Sequence, residues 1–261
     1  MARRKPYIIN ETSKTSLFEP PAGLSKGLDL SLRPRSGRAY AGLAEPFPAK
    51  LLIPRSEWQA RIEERERRKM TLRGISARAG LTVLDQNGTS YCWINAPTHG
   101  CEVIRALQGQ PTVRLSPASA GAQIKNYRNV GGWGKEGLEW IVKSGLCPVS
   151  AWPANAIKRQ YATAENKALA LRYRVDEWYE LEPRNLDEQV SCLLLGIPCA
   201  FGFNWWGHEV LGVDVKWIDG TVVIEIANSW GRSWGDDGYG ILQGNRMLSD
   251  DTVAPRTAHA A

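Results

Sequence analysis

The stretch Gly207-His208-Glu-Val-Leu-Gly-Val-Asp-Val-Lys-Trp217-Ile218-Asp219-Gly220-Thr221-Val-Val-Ile-Glu-Ile226-Ala227-Asn228 decides the architecture. Leu211, Val213, Val215 and Trp217 recur at a spacing of two, and so do Val222, Ile224 and Ile226. That period predicts two strands, each with one apolar face. Asp219-Gly220 between them is a two-residue turn of the type I′ kind. With the turn placed there, paired positions sum to about 439 and His208 lies opposite residue 231. Asn228 then falls about three residues out of register with His208, at the same open end of the hairpin. An amide that hydrogen-bonds an imidazole is delivered next to it.

Upstream the period changes. Val103, Ile104 and Leu107 after Cys92 predict a helix ending near Gly109. A second runs from Lys135 to Ser144 on Leu138, Ile141 and Val142, with Gly145 as its stop. Ala164, Ala168, Leu171, Val175 and Trp178 predict a longer third helix closed by Pro183. A fourth covers Leu186–Leu195, with Asp187 and Glu188 in the turn where the helix dipole favours acids. Gly196-Ile197-Pro198 and a short strand, Cys199–Phe203, follow. Helices first and antiparallel strands afterwards predict an α+β fold. No internal repeat is present.

Bulk properties narrow the class. A chain of 261 residues with 43% hydrophobic and 23% charged residues reads as an ordinary globule. No apolar run approaches the ~20 residues of a membrane span. The basic N-terminus lacks the apolar run of ~7–15 residues of a secretory signal, so export by that route is not expected. Residues 1–80 hold 17 Lys/Arg against 8 Asp/Glu, net +9, and the remainder is net −3. Residues 1–56 are also rich in Pro and Gly, which predicts an extended or disordered basic arm, pinned at Tyr7-Ile8-Ile9 or Leu51-Leu52-Ile53. Such an arm could lie across the globule and block it, or tether the chain to an acidic partner or nucleic acid, the basic charge favouring the tether, against the plainer reading of a solvated segment. Glu57–Arg73 reads as a largely solvated helix, with i,i+4 acid-to-Arg pairs and a thin stripe of Trp58 and Ile62. Residues 246–261 read as a tail.

The five cysteines, Cys92, Cys101, Cys147, Cys192 and Cys199, are odd in number and contain no Cys-x-x-Cys. A cytoplasmic or other reducing compartment fits best. Of the three histidines, His259 lies near the end of the chain. His99 is seven residues past Cys92, roughly 10 Å along a helix and too far for a thiol–imidazole hydrogen bond. His208 is the one whose fold context can bring it to a cysteine. Cys92, His99 and Cys101 match no standard zinc spacing.

Gln86-Asn-Gly-Thr-Ser-Tyr-Cys92-Trp93 resembles the nucleophile segment of papain-like cysteine peptidases. Asn129-Val-Gly131-Gly132-Trp133 is similar to that family's substrate-side Gly-Gly segment. Gly207-His208-Glu-Val-Leu-Gly-Val resembles its His strand. Asn228-Ser-Trp230-Gly231-Arg-Ser-Trp234-Gly235-Asp-Asp-Gly238-Tyr239-Gly240 follows its Asn-Ser-Trp-Gly signature almost without interruption. The likeness spans roughly residues 53–245. It implies a two-lobe α+β fold, a helical lobe against a strand-rich lobe, with the active cleft between them. It implies Cys92 as nucleophile, His208 as general base and acid, and Asn228 as the group orienting the ring, with Trp230 shielding that bond. Gln86 and the Cys92 backbone N–H would form the oxyanion hole. Gly132, with Gly131, would pair with an extended polypeptide substrate. The reaction, peptide hydrolysis through a thioester, needs no metal or organic cofactor.

Departures accompany the likeness. Thr89 and Asn129 stand where the family has a disulfide pair, which is consistent with reducing surroundings. Tyr91 replaces a small residue beside Cys92, and Pro97 removes a backbone donor and predicts a bent or delayed helix. The helix Glu57–Arg73 is an insertion. Two other readings remain: a non-catalytic binding or assembly module on this fold, and a thiol-dependent amidase or transferase.

Overall fold

The structure is a computed structural model that describes residues 6–30 and 44–259. The hairpin forms as the alternation predicts: strand β5, His208–Ile218, returns through Asp219 and Gly220 into β6, Thr221–Ala227. Both turn residues have positive φ, 49° and 77°. Pairs sum to 439 from Ile218↔Thr221 back to Asp214↔Glu225, and a bulge then shifts the register to Gly212↔Ile226. Around this hairpin one sheet of eight strands forms among the described residues, in the order β1-β7-β6-β5-β4-β8-β3-β2. Its other members are β1 (Ile8–Ile9), β2 (Ala44–Pro46), β3 (Val175–Glu180), β4 (Cys199–Phe203), β7 (Tyr239–Leu242) and β8 (Asp251–Ala258). All pairings are antiparallel except the two outermost, β1 with β7 and β2 with β3.

The helical side is built on α3, Cys92–Leu107, with α4, Pro117–Ile124, and α5, Gly134–Ser144, packed around it. Helix α3 is buried from Cys92 to Arg105 and lies on β5 and β8. Trp93, Ile94, Val103, Leu138, Ile141, Leu211 and Val253 form the core between helices and sheet. A second core under the other face joins Phe201, Phe203, Val215, Ile224 and Ile226 to α7, Leu186–Leu194. The α+β expectation holds.

Five expectations change. The arm is not a disordered extension over residues 6–30 and 44–56. Ile9, Phe18, Phe47 and Ile53 are buried in the second core, and β1 and β2 cover the two sheet edges. Unpaired edges carry exposed donors and acceptors, so this pairing is a physical reason for the arm to order. The remainder of the arm's expected disorder, at residues 1–5 and 31–43, lies outside the described residues. The C-terminal tail is in fact β8, an inner strand between β4 and β3. His259 is anchored: its N–H donates to the Arg174 carbonyl and its Nδ1 lies 3.1 Å from Asp176. The third helix stops early, as α6 at Ala164–Ala170, and Val175 and Trp178 belong to β3. The charged helix is two: α1, Trp58–Arg67, breaks where Lys69 takes φ 55°, and α2, Leu72–Arg78, is capped by Thr71. Pro97 does not delay α3, which starts at Cys92.

Buried carboxyls tie this architecture together. Asp214 on β5 accepts the backbone N–H groups of Leu72 (2.9 Å) and Arg73 (3.1 Å), pinning α2 to the sheet. Glu102 on α3 accepts from Leu115 N–H at 2.7 Å and pairs with Arg114. Burial pushes both carboxyls up to about 7, and pushes Glu209 well above the carboxylate range. The folded chain therefore holds protons at neutral pH that the unfolded chain has released above about pH 4–5. Buried His99 and His208 act in the opposite sense, being held down to about 3, but the unfolded chain has shed most of those protons above its ordinary value of 6.5. Stability should thus fall as pH rises from 6.5 to 8, by about 5 °C in melting temperature, on the order of two protons' linkage. Melting curves of wild type, Glu102→Gln and Asp214→Asn check this. A wild-type midpoint that rises over that window contradicts it, and the variants should flatten the slope.

Candidate active site

Cys92 is the first residue of α3, and a helix N-terminus favours an anion there. It is fully buried. Glu209, the residue after His208, is close enough to shift the Cys92 thiol's titration, which places the thiol beside the start of β5. His208 Nε2 lies 2.8 Å from Asn228 Oδ1. That oxygen also accepts the Ser229 N–H at 2.8 Å, so it is the acceptor for the ring as well. The neutral imidazole must then carry its proton on Nε2 and present Nδ1 as a lone pair. Nδ1 is buried without a hydrogen-bond partner among the described residues. Trp230 stacks on the ring at 4.5 Å between centroids and Trp206 meets it edge-on at 5.1 Å, which keeps water from the Asn–His bond.

Gln86 is held by the same segment. Its Oε1 accepts the Ser229 hydroxyl at 2.6 Å, which turns the amide Nε2 toward the cleft. The loop carrying it is clamped by Gln86 N–H to Ser229 O and Gly231 N–H to Leu84 O. Gly132 lies across the cleft before α5. Cys92, His208, Asn228, Gln86, Trp230 and Gly132 therefore converge, and Gly131 lies beside Gly132.

The cleft is filled by the chain's own residues 25–29. Gln86 Nε2 donates to the Ser25 carbonyl at 2.7 Å, and Trp230 Nε1 donates to it at 3.0 Å. Gly132 N–H donates to Gly27 O at 3.0 Å, and Asp29 N–H donates to Gly132 O at 3.3 Å, so Leu28 runs parallel to Gly132. Leu28 N–H donates to Gly207 O at 3.3 Å. The Leu28 side chain clusters with Cys92 and Trp133. The Gly27 amide lies on the side of the Cys92 thiol where it favours the thiolate. Gly27 is held close: a Cβ there would stand 2.1 Å from the Ser90 carbonyl oxygen.

This occupancy sets the electrostatics. Burial, with the nearby Glu209 carboxyl adding to it, holds the Cys92 thiol far above its ordinary range. Burial pulls His208 down to about 3, against the Asn228 hydrogen bond, and the Lys26 charge pushes the same way. Thiol and imidazole are both neutral here, and no hydrogen bond joins them. That the arm lies across the globule was one of two readings open to the sequence; residues 25–29 as the part that enters the cleft were not legible, because their contacts are backbone ones. All five cysteines are free and buried.

No family model matches the chain. A curated "Cysteine protease" of Blomia tropicalis is 23% identical over 200 residues, covering 64% of this chain and 59% of that protein. The chain thus spans about three-fifths of that relative's length. Among solved structures, digestive procathepsin L 3 from the Tenebrio molitor larval midgut superposes with a TM-score of 0.59 at 20% identity, over 67% of this chain and 66% of that one. Xylellain, a cysteine protease from Xylella fastidiosa, gives 0.57 at 22% identity over 69% and 83%. Procathepsin B S9 from Trypanosoma congolense gives 0.57 at 17% over 72% and 76%. At these identities the likeness is one of fold, and the fold of this chain is that of the papain-like cysteine peptidases.

Proposed function

We propose that the chain is a cysteine peptidase, held latent by its own residues 25–29. The observation that carries the reading is the tautomer: Asn228 Oδ1, already accepting Ser229 N–H, obliges His208 to present Nδ1 as a base, one residue before the Glu209 that lies near the Cys92 thiol. With the cleft open, Nδ1 takes the thiol proton and the sulfur attacks the scissile carbonyl carbon. Gln86 Nε2, now donating to Ser25 O, would receive the developing oxyanion together with the Cys92 backbone N–H. His208 returns the proton to the leaving amine, and water hydrolyses the thioester. Gly132, which pairs with the arm, would pair with a polypeptide substrate in β fashion. A reducing compartment is the proposed working environment, on the odd number of cysteines and the lack of a Cys-x-x-Cys pair.

Binding of an acidic partner or nucleic acid through the arm finds no support in residues 6–30, which are used by the globule and its cleft. That reading rests on residues 1–5 and 31–43, outside the described residues.

A mixed peptide library read by mass spectrometry tests the peptidase reading. Cleavage should be lost in His208→Ala and reduced about 10- to 100-fold, not lost, in Asn228→Ala, since Asn228 orients the base without reacting. Cleavage that persists in His208→Ala contradicts the assignment. A library left intact under every condition favours the non-catalytic module, and thioester formation without peptide cleavage favours the amidase or transferase.

A further inference from the structure

We propose that the groove between the inserted α1 segment and the far end of α3 is a docking site for a protein partner. What it takes is an acidic peptide segment carrying one large apolar anchor. The proposal goes beyond the peptidase reading and stands independently of it.

The groove encloses about 260 Å³. Ile75 on α2, Ile104 and Leu107 at the end of α3, and Leu195 just past α7 line it, with Met70 from the turn between α1 and α2. Met70, Leu107 and Leu195 are three of the seven large hydrophobics exposed among the described residues, at 47%, 38% and 43%. Exposed apolar side chains gathered around one concavity mark a contact surface. A pocket for a free small molecule spans ~300–1,000 Å³ and encloses most of its ligand. Here the space is smaller and its apolar rim stays open. That shape suits one side chain inserted from a segment that covers the rim, as an interface anchor does.

Charge selects the rest of the partner. Arg65 on α1 and Arg256 on β8 line the groove, and no carboxylate does among the described residues. Arg65 donates to the Leu194 carbonyl at 3.2 Å and the Met70 carbonyl at 2.8 Å. The acid nearest it, Asp214 at 3.9 Å, is buried and turned to the Leu72 and Arg73 N–H groups. Arg256, paired with Glu45 and Glu177, closes the other side. Lys69 adjoins Met70, and Arg78 donates to the Lys69 carbonyl at 2.9 Å, so both extend the positive rim. Carboxylates flanking an apolar anchor therefore meet Arg65, Lys69 and Arg78 while the anchor fills the groove.

Leu107 and Cys92 stand at opposite ends of the 16-residue α3, roughly 22 Å apart along its axis. A segment docked here leaves the cleft free. The inserted segment thus gains a use, since it supplies Arg65, Lys69 and Met70 to one wall.

The test measures binding to the full-length wild type, whose cleft is filled by residues 25–29. Fluorescein-labelled peptides carry Trp, Phe, Leu or Ala as anchor, flanked on both sides by Glu, Gln or Lys pairs. Glu-flanked peptides with a Trp, Phe or Leu anchor should bind with a Kd on the order of 10–100 µM by anisotropy. Ala-anchored and Gln-flanked peptides should bind at least ~10-fold more weakly, and Lys-flanked ones weakest of all. Leu195→Glu should cost at least ~10-fold in affinity at an unchanged melting temperature, because the side chain is exposed. Met70→Glu repeats the measurement should that variant fail to fold. Absence of binding by every Glu-flanked peptide, affinity that survives both substitutions, or a preference for Lys flanks overturns the docking site. So does a dimer in sedimentation that Leu195→Glu dissolves, which would place a second copy in the groove, or binding of octanoate without the peptides. Each of those results leaves the peptidase reading standing, and a chain that cleaves nothing leaves the docking site standing.

Discussion

Gly27→Ala should raise peptidase activity about 10- to 100-fold over wild type. The new Cβ would stand 2.1 Å from the Ser90 carbonyl oxygen, and that oxygen belongs to backbone clamped by Ser90 N–H to Asn129 Oδ1 at 2.7 Å. Neither side can yield cheaply, and overpacking of this kind costs on the order of 1–3 kcal/mol. Only the seated arm bears that cost, so the population shifts toward the open cleft by the corresponding factor. Freed of the arm, Cys92 and His208 regain water, and the burial that holds the thiol high and the imidazole at about 3 is relieved. The change is local, because Ile9 and Phe18 anchor the arm upstream in the second core. Deleting residues 1–50 would be a worse experiment: it strips β1, β2 and Phe47 from the sheet and core together with the inhibitory residues. Initial rates on a peptide substrate for Gly27→Ala, with a melting curve to show retained fold, check the expectation. Unchanged activity in a folded variant would mean that residues 25–29 do not hold the site shut.

Cys92→Ala in that open background should abolish the activity, by about 10⁴-fold or more. Without a thiol there is no nucleophile for His208 to deprotonate, and orientation by Gln86 and Gly132 leaves only a small residual acceleration. The loss should be one of kcat with little change in substrate binding, because Cys92 sits at the base of the cleft and pairs with no arm carbonyl. Binding of the uncleaved peptide to the Ala variant, measured by fluorescence anisotropy, separates the two. Substantial turnover by Cys92→Ala would place the chemistry elsewhere.

The parts of the molecule legible in the sequence are those where one side-chain pattern has one structural meaning. The alternation in β5 and β6 and the Asp219-Gly220 turn placed His208 near Asn228, and the bulge at Gly212/Asp214 shifted the register by one residue only. Helix α3 was legible from its apolar spacing, but without the flanking motif a free Cys at its start reads by default as a small buried hydrophobe. Strand β8 was not legible. Asp251-Thr-Val-Ala-Pro-Arg-Thr-Ala258 lacks clean alternation because it is buried on both sides between β4 and β3, and Pro255 argues against an inner strand. The ladder accommodates the proline opposite Trp178, next to an irregularity in the β3 register. Strand β3 was mistaken for helix because Leu171, Val175 and Trp178 fall at helical spacing by coincidence, whereas Arg174 is already extended. The arm's charge favoured a tether over a segment lying across the cleft, and Ser25–Asp29 was not legible as that segment because its seat is made of carbonyls and N–H groups, which every residue carries.

Covalent labelling followed by peptide mapping tests the central claim most directly. Wild type and Gly27→Ala would be treated with an epoxide or vinyl-sulfone peptide probe, digested, and the modified residue located by mass spectrometry. The account predicts label on Cys92, slow in wild type and at least ~10-fold faster in Gly27→Ala, and none in His208→Ala at comparable times. Label found on Cys101, Cys147, Cys192 or Cys199 with Cys92 unmodified would contradict it.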